Sequence, residues 1–120
     1  MGTLFNPLVG DLQQVLTLRL KQHGLGASNL ANANVPGYRA KHVDFDAALS
    51  SIFDGNGPAM TSGDVPVETI DPHPLAEDGN SVNAEDEMMK LTANNLQFNA
   101  TVEVLTRQLA MLEYAANDGR

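Results

Sequence analysis

Residues 84–116 read AEDEMMKLTANNLQFNATVEVLTRQLAMLEYAA, and this stretch decides the fold class. Ala84, Met88, Leu91, Asn95, Phe98, Val102, Leu105, Leu109, Leu112 and Ala116 follow one another in steps of four and three. All but Asn95 are apolar, which is the a/d pattern of a helix with a coiled-coil seam. Asn95 is a register-setting polar position or a wet point in the seam. Asn83 stands where an N-cap belongs, and Glu85, Asp86 and Glu87 suit the positive end of the helix dipole. Asp118-Gly119 marks the expected stop.

One apolar seam needs a partner, and the other end of the chain offers one. Asn6 reads as an N-cap with Pro7 at the first helical position. Leu8, Leu12, Val15 and Leu16 then recur at helical spacing, and Val9, Leu18, Leu20 and Leu25 widen the stripe beyond one face. Gly24 and Gly26 each cost about 1 kcal/mol relative to Ala inside a helix, so local propensity alone does not carry the helix through them. Pro36 restricts Val35, which places the end of this helix by about Asn34. Pro36-Gly37 fits the centre of a type II turn.

Beyond the turn, Tyr38, Val43 and Phe45 suggest a short extended segment, and Phe45, Leu49, Ile52 and Phe53 one or two helical turns. Residues 54–82 contain four prolines and four glycines among scattered apolar residues and read as loop. The expected architecture is mainly α. Residues 1–36 form an N-terminal helix and residues 83–120 a C-terminal heptad helix of the same coiled-coil core. Residues 37–82 form a turn, a short extended segment and a flexible, acidic, loop-rich middle with little regular structure. An antiparallel pairing brings the termini together and projects the middle away at the far end.

Charge follows the same division. The chain has a formal net charge of −8. Eleven of its acids fall in residues 43–87, which hold no Lys or Arg. Such a balance argues against general nucleic-acid binding and leaves both ends free to pack. Cysteine is absent, excluding a disulfide framework, a thiolate metal site and a cysteine nucleophile. The first twenty residues show neither a basic n-region nor an unbroken apolar run, so any export is expected to use a route without a cleavable signal peptide.

Chemistry is sparse. His23, His42 and His73 lack ligand-spaced companions, and no metal or other cofactor is expected. Asp54-Gly55-Asn56-Gly57 fails the calcium-loop pattern, because its first and twelfth positions would be Ile52 and Gly63. No phosphate-binding glycine loop, zinc-protease motif or nucleophile elbow is present, and no catalytic residue is assigned.

Ala27-Ser28-Asn29-Leu30-Ala31-Asn32-Ala33-Asn34-Val35-Pro36-Gly37-Tyr38 resembles the N-terminal signature of bacterial flagellar rod and hook proteins. In that family an Ala-Ser-Asn-Leu/Ile-Ala-Asn helix leads into a Thr-Pro-Gly-Tyr turn; Val35 replaces the usual Thr. Tyr38-Arg39-Ala40, Val43-Asp44-Phe45, Asp78-Gly79-Asn80-Ser81-Val82, Glu87-Met88 and Leu96-Gln97-Phe98-Asn99-Ala100 are similar to the short proximal-rod members. Gly24 and Gly26 depart from the bulkier residues of the family.

The resemblance implies a structural, non-enzymatic subunit of the basal-body rod, the periplasm-spanning drive shaft of motility. It implies passage through the flagellar type III export gate as an unfolded chain and self-assembly with other rod subunits of the FlgB, FlgC and FlgF types. The adaptor FliE is an implied neighbour; nucleic acid and direct membrane insertion are not implied. The residues expected to carry packing and assembly are Asn29, Asn32, Pro36, Gly37, Tyr38, Phe45, Met88, Leu91, Phe98, Val102, Leu105, Leu109 and Leu112. Asn29 and Asn32 share a helix face, where they either bond between subunits or satisfy the helix end. The competing reading is a soluble helical hairpin acting as a binding or chaperone-like module, which has no need of the Asn29–Tyr38 signature.

Overall fold

A computed structural model describes residues 2–55, 59–72 and 78–118. Two long helices dominate: α1, Gly2–Ala31, and α3, Ala84–Asp118. At 1.5 Å per residue they run about 45 and 52 Å. They pack against each other in opposite directions: Asn29 meets Glu87, Gly26 meets Leu91, and Arg19 meets Asn94. The protein is elongated, with principal extents of 67 × 27 × 17 Å.

Helix α1 departs from expectation at both ends of its uncertain region. It begins at Gly2, upstream of the anticipated Asn6-Pro7 start, with Pro7 inside it. Pro7 lacks the N–H for an i→i−4 bond, so the helix passes it with one rung missing. It also continues unbroken through Gly24 and Gly26. Packing overrides propensity at Gly26, where a Cβ would lie 2.7 Å from Leu91 Cδ2; the bare backbone is what lets α3 approach.

The middle is more regular than its prolines and glycines suggest. Strand β1, Lys41–Val43, pairs antiparallel with β2, Val67–Thr69, in the register Lys41↔Thr69, His42↔Glu68, Val43↔Val67. Between them lie α2, Phe45–Asp54, and a 3₁₀ turn at Ser62–Asp64. Asp44 caps α2 by accepting from the Ala47 N–H, and Gly55 ends it with φ 66°. Asp54-Gly55 is thus a helix terminus; the rest of the calcium-like stretch, and His73, lie outside the described residues. The middle does not project away. Val43, Ala48, Ile52 and Val65 bury themselves on Leu18, forming the core with Val15, Leu25, Phe45, Leu49 and Met60 around it. That burial, absent from any local pattern, is what orders a segment expected to be flexible loop.

Helix α3 starts as anticipated after Asn83, whose Oδ1 accepts from the Asp86 N–H at 3.2 Å. The covered face differs from the predicted seam. Glu87, Leu91, Asn94, Phe98, Thr101, Leu105, Gln108, Leu112 and Ala115 are buried or half-buried, again in steps of four and three. Leu91, Phe98, Leu105 and Leu112 are shared with the predicted pattern. Met88, Asn95, Val102 and Leu109 are exposed. The helix is rotated so that the polar residues Glu87, Asn94, Thr101 and Gln108 take their place. The reason lies in α1, whose facing residues include Arg19 and Asn29: hydrogen bonds to Asn94 and Glu87 outweigh the burial of Met88.

Candidate assembly site

Asn29 sits at the junction of α1, β1 and α3 and is fully buried. Its Nδ2 donates to the Lys41 carbonyl at 2.9 Å and to Glu87 Oε1 at 3.0 Å. Its Oδ1 accepts from the Lys41 N–H at 3.0 Å and from the Tyr38 hydroxyl at 3.2 Å. Both amide protons and both lone pairs are therefore used. Ser28 Oγ donates in turn to the Tyr38 hydroxyl at 3.3 Å.

The network continues on the other side of Glu87. His42 Nε2 lies 3.6 Å from Glu87 Oε2, and Gln22 Nε2 donates to His42 Nδ1 at 3.0 Å. Gln22 Oε1 accepts from the Val43 N–H at 2.7 Å. With Nδ1 accepting, the ring proton of neutral His42 resides on Nε2, facing the carboxylate. Six side chains, from α1, β1, α3 and the segment before β1, thus hold β1 in the angle between α1 and α3.

A second clasp closes the end of α1. Asn80 Nδ2 reaches the carbonyls of Asn32 (3.0 Å), Ala33 (3.0 Å) and Val35 (2.6 Å), while Asn80 Oδ1 accepts from the Val82 N–H at 2.7 Å. The Gly37 N–H donates to the Asp78 carbonyl at 2.7 Å, and the Ala40 N–H to Ser81 Oγ at 2.7 Å. Gly37 has φ 78°, and the Tyr38 N–H returns to the Val35 carbonyl at 3.2 Å, as a type II turn requires. The Asp78–Val82 segment therefore clasps the turn that follows α1, more than forty residues upstream, supplying a donor to the turn's carbonyls.

Of the two readings open for Asn29 and Asn32, bonds between subunits or bonds at the helix end, both amides bond within the subunit. Asn29 is spent on the network above, and Asn32 Nδ2 donates to the Ser28 carbonyl at 2.8 Å, satisfying the helix end. Tyr38 belongs to the Asn29 network, and Pro36-Gly37 form the clasped turn. Phe45 lies under the Arg19 guanidinium, 4.5 Å from Cζ to the ring centroid. Burial holds the Arg19 pKa below its ordinary value, and Arg19 Nε has no hydrogen-bond partner among the described residues. Leu91 packs on Gly26, and Phe98 lines a cleft with Arg19, Leu20 and His23. Leu105 and Leu112 are half-buried on the same face of α3 as Leu91.

Met88, Val102 and Leu109 are exposed, together with Met89, Leu96, Val104, Met111 and Tyr114. The outer side of α3 thus carries many exposed apolar side chains, interspersed with polar ones such as Lys90, Gln97, Glu103 and Arg107. Gln22, Gly26, Glu87, Asn80 and Ser81 were not among the expected site residues. Glu87 reads in sequence as one more first-turn acid, and only its 3% exposure sets it apart from Glu85 and Asp86.

Among the described residues no group of three His, Asp or Glu side chains could hold a metal ion, and no helix is long and apolar enough to cross a membrane. No protein-family model matches the chain. Curated relatives do. The flagellar basal body rod protein FlgB of Aeromonas hydrophila is 30% identical, spanning 93% of this chain and 94% of the relative. FlgB of Escherichia coli K12 is 30% identical over 81% of this chain and 83% of its own, and FlgB of Cereibacter sphaeroides 29% identical over 92% and 94%. The Asn-rich signature and the segment that clasps it fall together in one site, and the likeness extends over both chains nearly end to end: the protein belongs to the flagellar basal body rod protein FlgB family.

Proposed function

We propose that the protein is a structural, non-enzymatic subunit of the flagellar basal-body rod, in which its two terminal helices join those of neighbouring subunits in a coiled-coil tube. The observation that carries this reading is the exposed apolar face of α3, in a chain whose relatives are rod proteins. The accessible surface is 7921 Å², against about 6,300 Å² for a compact monomer of 12.8 kDa. Helices with unpaired apolar faces bury them by association.

In this reading residues 1–36 and 83–120 form the assembly core, and residues 37–82 brace it. Leu91, Phe98, Leu105 and Leu112 hold the helices together inside the subunit, while Met88, Val102 and Leu109 meet neighbours. Asn29, Asn32, Pro36, Gly37, Tyr38 and Phe45 set the angle between helix and brace. The partners are other rod subunits of the FlgB, FlgC and FlgF types, the adaptor FliE and the type III export gate, through which the chain reaches the rod. A small core suits that route, because a chain that must unfold for export gains its final stability on assembly.

Complementation tests the proposal. In cells lacking their own FlgB-type subunit, this chain should restore swimming and be recovered in purified basal bodies. Restored export without recovery in the rod, or no effect on swimming despite expression, would reject it.

A further inference from the structure

Helix α1 carries two interior glycines close together, and only one is explained within the chain. Gly26 makes room for Leu91, whereas a Cβ on Gly24 would meet nothing within 4 Å. Gly24 lies instead on the floor of an open groove, lined by Thr17, Leu20, Lys21 and Leu25 of α1 and by Thr61 and Ser62 at the start of the 3₁₀ turn. Residues 17, 21 and 24 fall roughly half a turn around α1 from Arg19, Gly26 and Asn29, which touch α3, and Leu20 stands between the two faces, bordering the Phe98 cleft as well. Leu20 is 59% exposed there. The groove thus has an apolar wall, a bare backbone floor and one cation at its rim.

The complementary shape lies on the far side of the same molecule. Met88, Met89, Ala93 and Leu96 form an apolar patch on the outer face of α3, and Glu85 stands one turn before it on that face. Methionine side chains adapt readily to a groove. Neither Lys21 nor Glu85 has an ion-pair partner among the described residues. Asp86, by contrast, is already paired with Lys90 at 3.3 Å.

We propose that the Leu20–Gly24 groove receives the Met88–Leu96 patch of a second copy of this chain, with Lys21 of one copy opposite Glu85 of the next. Groove and patch point away from each other on one molecule, so the contact is head-to-tail and repeats without using up its own ends. Such a heterologous contact builds rings or helical arrays and not closed twofold dimers, as a rod subunit needs. Gly24 is then a close-approach glycine, whose cost to the isolated helix is offset between copies. This inference rests on the rod-subunit reading and identifies one contact within it.

The test uses the full chain and three substitutions. Lys21→Glu and Glu85→Lys should each weaken self-association of the purified protein about tenfold in sedimentation velocity, since like charges then face each other. The double variant should return to within a few-fold of the parent. Gly24→Ala should raise the melting temperature and helix content of the monomer while lowering self-association, a combination that a purely structural glycine does not produce. Unchanged association in the single charge variants, failure of the double variant to recover, or stronger association of Gly24→Ala would each overturn the contact. Swimming separates the two levels. Normal rods built by both single charge variants reject the groove contact and leave the rod reading standing, whereas a parent chain that never complements rejects the rod reading itself.

Discussion

Gly26 and Leu91 are in direct opposition: an added Cβ on Gly26 would sit 2.7 Å from Leu91 Cδ2 and 3.1 Å from its Cγ. The helix-breaking cost that local propensity assigns to this glycine is therefore the cost of bringing α1 and α3 together. Gly26→Ala should improve helix propensity by about 1 kcal/mol yet lose more through overpacking, which typically costs about 1–3 kcal/mol. Urea unfolding of Gly26→Ala, Leu91→Ala and the double variant checks it. The double variant should be more stable than additivity predicts by about 1 kcal/mol. Strict additivity would mean that the two residues do not constrain each other.

Asn29 and Asn32 look equivalent in sequence and are predicted to differ sharply. Asn29→Ala removes four hydrogen bonds and leaves the Glu87 carboxylate and the Lys41 peptide without their partner, at a cost of about 3 kcal/mol or more. Asn29→Asp should be worse, because it sets a second carboxylate against Glu87. Asn32→Ala loses one exposed bond to the helix end and should cost under about 1 kcal/mol. Thermal melts of the three variants decide the matter, and equal losses at 29 and 32 would contradict the network described for Asn29.

Asn80→Ala strips a donor from three carbonyls in the turn after α1. Amide exchange should accelerate selectively across residues 32–40, while α3 beyond Leu91 keeps its protection. Gly37→Val should produce a similar local effect for another reason. No atom lies within 4 Å of the new Cβ, so the cost comes from holding a β-branched residue at φ 78°, about 1–3 kcal/mol. The valine variant should be exported and enter the rod poorly. Full incorporation would show that the turn does not position the chain after α1.

Leu105→Asp and Leu109→Asp lie one helical turn apart and should fail at different stages. Leu105 is half-buried on the covered face of α3, so its replacement should unfold or loosen the monomer. Leu109 is 46% exposed, so the aspartate is solvated in the monomer and is buried only by a neighbour. Circular dichroism should show a damaged Leu105 variant and a native-like Leu109 variant, with neither restoring swimming. A swimming strain carrying Leu109→Asp would remove that residue from the assembly surface.

The two long helices were legible because their information is local and repetitive. Ten heptad positions in steps of four and three specify an α3 with an apolar stripe wherever the chain is placed. Pro36-Gly37 announces its turn by backbone stereochemistry alone, and Asn83 caps α3 as short polar side chains do. The twelve-residue Asn-rich signature likewise points to the family by residue identity alone.

Which face of α3 is covered was decided by tertiary structure. Met88 and Glu87 are neighbours, and apolarity favours Met88 for the interior. Yet Glu87 goes in and Met88 stays out, because Asn29 and His42 arrive from α1 and β1 to satisfy the carboxylate. The order of the middle has the same origin. Three-residue strands and a ten-residue helix are too short to persist alone, and they exist here because Leu18, far upstream, offers a surface on which Val43, Ile52 and Val65 leave water. Periodicity along a chain determines that a helix has an apolar side; only the partners brought from distant positions determine which polar groups can be buried, and hence which side faces in.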